Sequence, residues 1–187
     1  MTTRTVKIGL DKWEAVQLDE DDQVVGTPTL IPGLTSAQLT LTVNSGNFQA
    51  DDGLWAVLDG GISALSLTIG NADLKTEAKQ VLHDVEVEDG MEIYKANMKF
   101  PYVATIFRSR LNTGKYVWFG LAKGKFLPGG VDLQTRGETP TGQPDTVTGN
   151  FEPRADEVTH IITREDHADF DLQKFRAKIF QGVAPTP

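Results

Sequence analysis

Two alternating segments whose polar sides carry no charge constrain this chain more than anything else in its sequence. From Thr35 to Asn44, Ala37, Leu39, Leu41 and Val43 fall on one side, with Ser36, Gln38, Thr40, Thr42 and Asn44 on the other. From Ile62 to Gly70, Leu65, Leu67 and Ile69 oppose Ala64, Ser66, Thr68 and Gly70. A period of two is the mark of a strand with one buried face. A water-facing strand ordinarily places Lys or Glu among so many polar positions. A surface of hydroxyls and amides points either to the β-propensity of Thr alone or to surroundings that exclude charge.

The same reading predicts further strands at Thr5 to Leu10, Lys12 to Leu18, Tyr102 to Arg110, Lys115 to Phe126, Val131 to Thr135 and Thr146 to Glu152. Asn112, Thr113 and Gly114 supply a turn that makes Tyr102 to Phe126 one long hairpin, because Gly accepts the positive φ such turns need. Leu74, Ala78, Val81 and Leu82 recur at helical spacing behind Asp73, which can cap a helix start. A second helix is predicted over Asp169 to Phe180. It has Leu172, Phe175 and Ile179 on one side, acids near its start and Lys174, Arg176 and Lys178 towards its end, as the macrodipole favours. Ser45 to Gly61 reads as a connection too long for a tight hairpin, and Thr135 to Asp145 as a turn-rich one with Gly137, Pro140, Gly142 and Pro144. The fold class is mainly β with one or two helices.

With 187 residues, 39% of them hydrophobic and 24% charged, the chain can bury one core without staples. The absence of cysteine excludes disulfides, thiolate nucleophiles and thiolate metal sites. No run has signal-peptide character or the roughly 20 apolar residues of a membrane span, so we expect no membrane insertion and a cytoplasmic protein, unless a particle carries it out. A net charge of −8 argues against gripping nucleic acid, though not against a wall that DNA slides past. The charge is uneven. Lys95 to Val131 holds Lys95, Lys99, Arg108, Arg110, Lys115, Lys123 and Lys125 and no acid, whereas acids gather at Asp19 to Asp22, Asp51 and Asp52, Glu86 to Asp89 and Glu165 to Asp171. Such a basic block is either a solvated face or one half of a complementary subunit contact.

Catalytic constellations are nearly missing. The only histidines are His83, His160 and His167. His83, at the end of the first helix, is placed to meet its terminal carbonyls. His160 and His167, with Asp166, Asp169 and Asp171, match no ligand spacing. Gly120 to Lys125 (GLAKGK) has one residue too few between its glycines for a phosphate loop, and Phe126 stands where Ser or Thr should be. The run Asp19 to Asp22 lacks the glycine and distal Glu of a calcium loop. We expect no enzyme, no metal and no cofactor.

The order of short segments then carries the argument. Ile8 to Leu10 (IGL) opens a strand pair, and an alternating strand leads to Phe48, Gln49 and ADDG (Ala50 to Gly53). ADL (Ala72 to Leu74) introduces the helix that ends at Leu82 and His83. PYVA (Pro101 to Ala104) opens the hairpin that continues through GKYVWFGLAKGKF (Gly114 to Phe126), and TVTGNF (Thr146 to Phe151) follows. In this order the segments resemble the major tail proteins, or tail tube proteins, of long-tailed siphophages infecting Gram-positive bacteria.

The resemblance fades after Arg154, dividing the chain into a tail tube β-domain over 1–154 and a C-terminal extension over 155–187. It implies a β-sandwich or half-barrel with a packed helix, self-assembly into stacked hexameric rings around a DNA conduit, and the tape measure protein and tail terminator as partners. It places the protein in the virion tail, after assembly in the host cytoplasm, with dsDNA passing unbound. The uncharged sides suit the conduit wall, which gives Ser36, Gln38, Thr40, Thr42, Ser66 and Thr68 as lumen-facing residues. Phe48, Asp51, Asp52, Leu54, Trp55 and Leu58 form an inter-subunit loop, expected to be mobile until docked. The basic block forms another interface and faces away from the lumen. The competing reading is a carbohydrate-binding or adhesion module of a tail tip, with Trp13, Trp55 and Trp118 as sugar platforms.

Overall fold

The computed structural model describes residues 4–131, 133–135 and 142–182. Its elements are β1 (Lys7–Leu18), β2 (Val24–Ile31), β3 (Leu34–Ala50), β4 (Gly53–Asn71), α1 (Thr76–His83), β5 (Glu86–Glu88), β6 (Met91–Ile93), β7 (Tyr102–Leu111), β8 (Tyr116–Leu127), β9 (Asp145–Phe151), β10 (His160–Arg164) and α2 (Leu172–Ile179). All strands but β5 and β6 form one antiparallel sheet ordered β2-β1-β7-β8-β9-β4-β3. Along β8, β10 pairs with Val117 to Leu121 and β9 with Gly124 to Leu127. Strands β2 and β3 stand at opposite ends of this order, yet only Pro32 and Gly33 separate them in the chain. The sheet must therefore curl into an open half-barrel. Gly33, at φ 92°, makes the corner, and its carbonyl accepts from the Ala72 N–H at 2.7 Å.

Each face of the sheet buries a separate core, because successive side chains point to opposite sides. One cluster gathers Trp13, Ala15, Leu65, Leu67, Ile69, Val103, Phe107, Leu121, Phe126 and Phe151 under α1, which contributes Ala78 and Leu82. The other gathers Val16, Leu18, Ala104, Ile106 and Trp118 under Phe175, Ile179 and Phe180 of the α2 region. The C-terminal extension thus packs into the same fold. Gly120 lets α2 approach, since a Cβ there would lie 2.5 Å from Ile179. Arg154, nearly fully buried, donates to the carbonyls of Lys178 and Ile179 at the end of α2 and pairs with Asp156 at 2.7 Å. Arg176 reaches Glu14 at 2.8 Å.

Several expectations change. The two strands predicted over Thr5 to Leu18 are one, interrupted by Lys12 at φ 55°, where the register with β7 shifts. Asp73 does not cap α1: the cap residue is Lys75, without a side-chain hydrogen bond, and Leu74 is buried ahead of the helix. Asp171 does cap α2, accepting from the Lys174 N–H. His83 is buried, its ring 6.2 Å from that of Phe100, and neither nitrogen makes a well-formed hydrogen bond, so it caps no carbonyl. Val131 and Leu133 to Thr135 form no strand; Asp132, Gly137 and Pro140 lie outside the described residues. Strands β2, β5, β6 and β10 had no prediction, having weak alternation or too few residues to show any.

The largest change concerns Ser45 to Gly61. It is not an irregular loop but the far half of a hairpin in which β3 and β4 stay paired from Ser45↔Asp59 to Ala50↔Gly53. Asp51 and Asp52, at φ 51° and 58°, make a two-residue turn with both central residues left-handed, the handedness that matches strand twist. Register shifts after Thr42, Val43 and Phe48 broke the period that would have shown the strands.

Candidate functional site

The register places the uncharged positions of three strands side by side. Paired residues of an antiparallel ladder point to the same side. Thr40 faces Ser66, which faces Asn150; Gln38 faces Thr68, which faces Thr148; Ser36 faces Gly70, which faces Thr146. The hydroxyls of Thr68 and Thr148 are 3.3 Å apart. Thr42 extends the same side opposite Ala64. The opposite side of β4 and β9 carries Leu65, Leu67, Ile69, Val147 and Phe151, all in the core, so burial of that face fixes the hydroxyl field outward. Thr146, Thr148 and Asn150 join this field through pairing with β4, which the alternation of TVTGNF does not by itself reveal.

Charge enters this side on β8, where Lys123 and Lys125 both approach the Tyr102 ring. Lys125 pairs with Asn150 and so ends the row Thr40–Ser66–Asn150. Its ammonium lies 4.2 Å from the Tyr102 ring centre, a favourable cation–π distance. The lumen-facing set and a basic block turned away from it therefore conflict at Lys125, which shares the hydroxyl side.

The rest of the basic block is dispersed. Lys95 pairs with Glu86, and Arg108 with Asp11 at 2.6 Å while stacking on Tyr116. Lys123 meets Asp22 at 2.8 Å and Glu152 at 3.6 Å. Burial pushes the Asp22 carboxyl up, but the hydrogen bonds from Lys123 and the Ala155 N–H outweigh it, so the group titrates below the usual range. These cations are spent within the subunit. Lys99, Arg110 and Lys115 are exposed and have no carboxylate partner among the described residues.

The β3–β4 arm is the second feature. Val43, Phe48, Leu54, Trp55, Val57, Leu58 and Ile62 are all strongly exposed, with Trp55 at 67% and Leu58 at 58%. Beyond Leu65↔Phe151 the arm has no strand partner but itself, and it runs on towards the end of the sheet that carries the β7–β8 turn. Contiguous apolar surface of this kind marks an interaction site. Of the three tryptophans offered as sugar platforms, Trp13 is fully buried and donates to the Thr105 hydroxyl at 2.8 Å, and Trp118 is buried and donates to Glu165 at 2.9 Å. No aromatic platform forms from them.

Among the described residues no group of His, Asp or Glu is placed to hold a metal, and no helix is long and apolar enough to cross a membrane. His160 bonds its neighbour Thr159 at 3.0 Å, and His167 is exposed beside Asp169.

A neutral sheet face and an exposed apolar arm suit a subunit that associates with others. The sequence matches the family described as phage tail tube protein over residues 20–186, and the chain belongs to that family. It is a structural tail subunit of the virion that self-assembles into the tube. Among solved structures it is similar to a chain in the cryo-EM structure of the anti-feeding prophage (AFP) baseplate, 6-fold symmetrised, at 12% identity and a TM-score of 0.38, covering 89% of this chain and 95% of that one. That likeness is too loose to carry argument. No curated protein matches the sequence.

Proposed function

We propose that the subunit forms hexameric rings that stack into the tail tube, with the hydroxyl field of β3, β4 and β9 lining the DNA conduit and the β3–β4 arm docking on a neighbouring subunit. The observation that carries this is the three-strand register, which aligns Ser36, Gln38, Thr40, Thr42, Ser66, Thr68, Thr146, Thr148 and Asn150 as one neutral surface backed by core. Each exposed Lys or Arg on a conduit wall would bind phosphate and retard passage, so a neutral wall favours transit of dsDNA without specific binding. Lys125, tethered over Tyr102, sits at the margin of this wall.

Phe48, Leu54, Trp55 and Leu58 supply the apolar contact of the arm, with Asp51 and Asp52 at its tip meeting cations of the neighbour. The tape measure protein and tail terminator are its other partners, its host is Gram-positive, and assembly precedes release in the host cytoplasm. The protein performs no catalysis and needs no cofactor. Cryo-electron microscopy of tubes grown from concentrated purified protein tests the reading: it expects sixfold rings with Thr40, Ser66 and Thr148 facing inward. Tubes with these side chains on their outer surface would overturn the conduit assignment.

A further inference from the structure

The end of the sheet formed by the β7–β8 turn is cationic and unpartnered. Asn112 pins the N-terminal segment there: its side chain accepts from the Val6 N–H at 3.0 Å and donates to the Arg4 carbonyl at 3.3 Å. Lys7 and Gly9 pair with Leu111 and Arg110. Arg4, Lys7, Arg110 and Lys115 thus share this end of the sheet with Val6 and Ile8, which are 59% and 62% exposed, with Lys7 on the Phe119 side and Arg110 on the Tyr116 side. None of the four has a carboxylate partner among the described residues. Lys7 lies over Phe119, and Lys115 donates to the Glu165 carbonyl and stands near Asp166 without pairing with it. The nearby acids are committed, Asp11 to Arg108, Asp166 to Arg164, and Glu165 to the Tyr116 N–H and the Trp118 indole.

The opposite end of the sheet presents the complementary surface. The β5–β6 hairpin turns at Asp89 and Gly90, at φ 50° and 77°, and stands apart from the main sheet. A hairpin with three residues in each strand does not hold itself in water, and this one is braced on α1: Glu92 accepts from Thr76 at 2.8 Å and from Lys79 at 3.0 Å. The bracing fixes a tip at which Glu88 and Asp89 have no cation among the described residues, beside exposed Met91 and Val87. It lies where β7 begins and β8 ends, one strand length, roughly 30 Å, from the β7–β8 turn.

We propose that this basic end receives the β5–β6 hairpin tip of a second copy of the chain in the next ring, with Glu88 and Asp89 meeting Arg110, Lys115 and the N-terminal cations, and Met91 covering Val6 and Ile8. Unlike patches at opposite ends of one subunit make a head-to-tail contact that repeats without closing, as a growing tube requires. The proposal rests on the tube reading and names its stacking contact. The arm tip, Asp51 and Asp52, points towards the same end as the cations, so a copy displaced along the strands offers β5–β6 and not the arm.

The test is charge exchange in the full chain. Glu88→Lys with Asp89→Lys, and separately Arg110→Glu with Lys115→Glu, should each raise the critical concentration for tube formation about tenfold or more. All four changes in one chain should restore it. The milder Glu88→Gln with Asp89→Asn should weaken assembly in the same direction and reduce its salt dependence. Either reversed pair assembling like wild type, or failure of the fourfold variant to recover, overturns the contact. Rescue of the Arg110→Glu, Lys115→Glu chain by Asp51→Lys with Asp52→Lys would assign the basic end to the arm and overturn it equally. A wild-type protein that forms no tubes would instead defeat the tube reading itself.

Discussion

Replacing Trp55 and Leu58 together by alanine should abolish tube growth without unfolding the subunit. At 67% and 58% exposure, these side chains leave roughly 150 Å² and 100 Å² available to a partner. At about 25 cal/mol per Å² their complete burial would contribute roughly 6 kcal/mol, and alanine keeps part of that, so the loss should be about 4 kcal/mol per subunit. That corresponds to about a thousandfold rise in critical concentration, beyond the range reached in most preparations. Neither residue belongs to either core cluster, so the melting temperature of the monomer should stay within error of wild type. Sedimentation across a concentration series, with negative-stain microscopy of the pellet, measures the effect. Assembly of the double variant at the wild-type critical concentration would refute the reasoning. Hydrogen exchange offers a second check: the arm amides should exchange faster in the monomer than those of Leu67 and Ile69, because only ladder bonds hold them. Equal protection would contradict the claim that the arm awaits a partner.

Lysine at Thr40, Ser66 and Thr148 together should leave tubes that assemble but eject DNA more slowly, the delay shrinking as salt rises; unchanged ejection kinetics in particles carrying the variant would remove these residues from the conduit. Gly120→Ala should cost about 1–3 kcal/mol, because the new methyl meets Ile179 and Phe175 and lifts α2, which thermal unfolding monitored through Trp118 would show. Acid should destabilise the fold in two stages. Burial, with Lys79 nearby, holds the His83 imidazole below its ordinary value, so the unfolded chain takes up that proton first and stability falls as pH drops through about 6.5; His83→Leu should flatten this stage in a urea titration. The Asp22–Lys123 pair contributes stability above the ordinary carboxylate range that is lost as pH falls through the lowered Asp22 value, and Asp22→Asn should remove that second stage.

Alternation was enough to give the mainly β class, the buried side of β4, the β7–β8 hairpin and the apolar side of α2, because a period of two or of 3.6 is a local property that burial of one face imposes on the residues themselves. The neutral side of β3 and β4 was likewise written in the order of Ser, Gln and Thr. What the sequence could not decide was which strands lie together. Thr146, Thr148 and Asn150 join Ser66 and Thr40 only through pairing across about 80 residues of chain, and the same register carries Lys125 onto that surface. The arm was hidden because bulges break its period, so Ser45 to Gly61 resembled a loop until both strands were seen paired. Charge was the least legible of all: Arg108 and Lys123 stand beside Arg110 and Lys115 in one basic run, yet Asp11 and Asp22, about 100 residues away in the chain, neutralise the first two and leave the others free. Composition counts charges, but only the tertiary structure brings partners within the few ångströms over which they cancel.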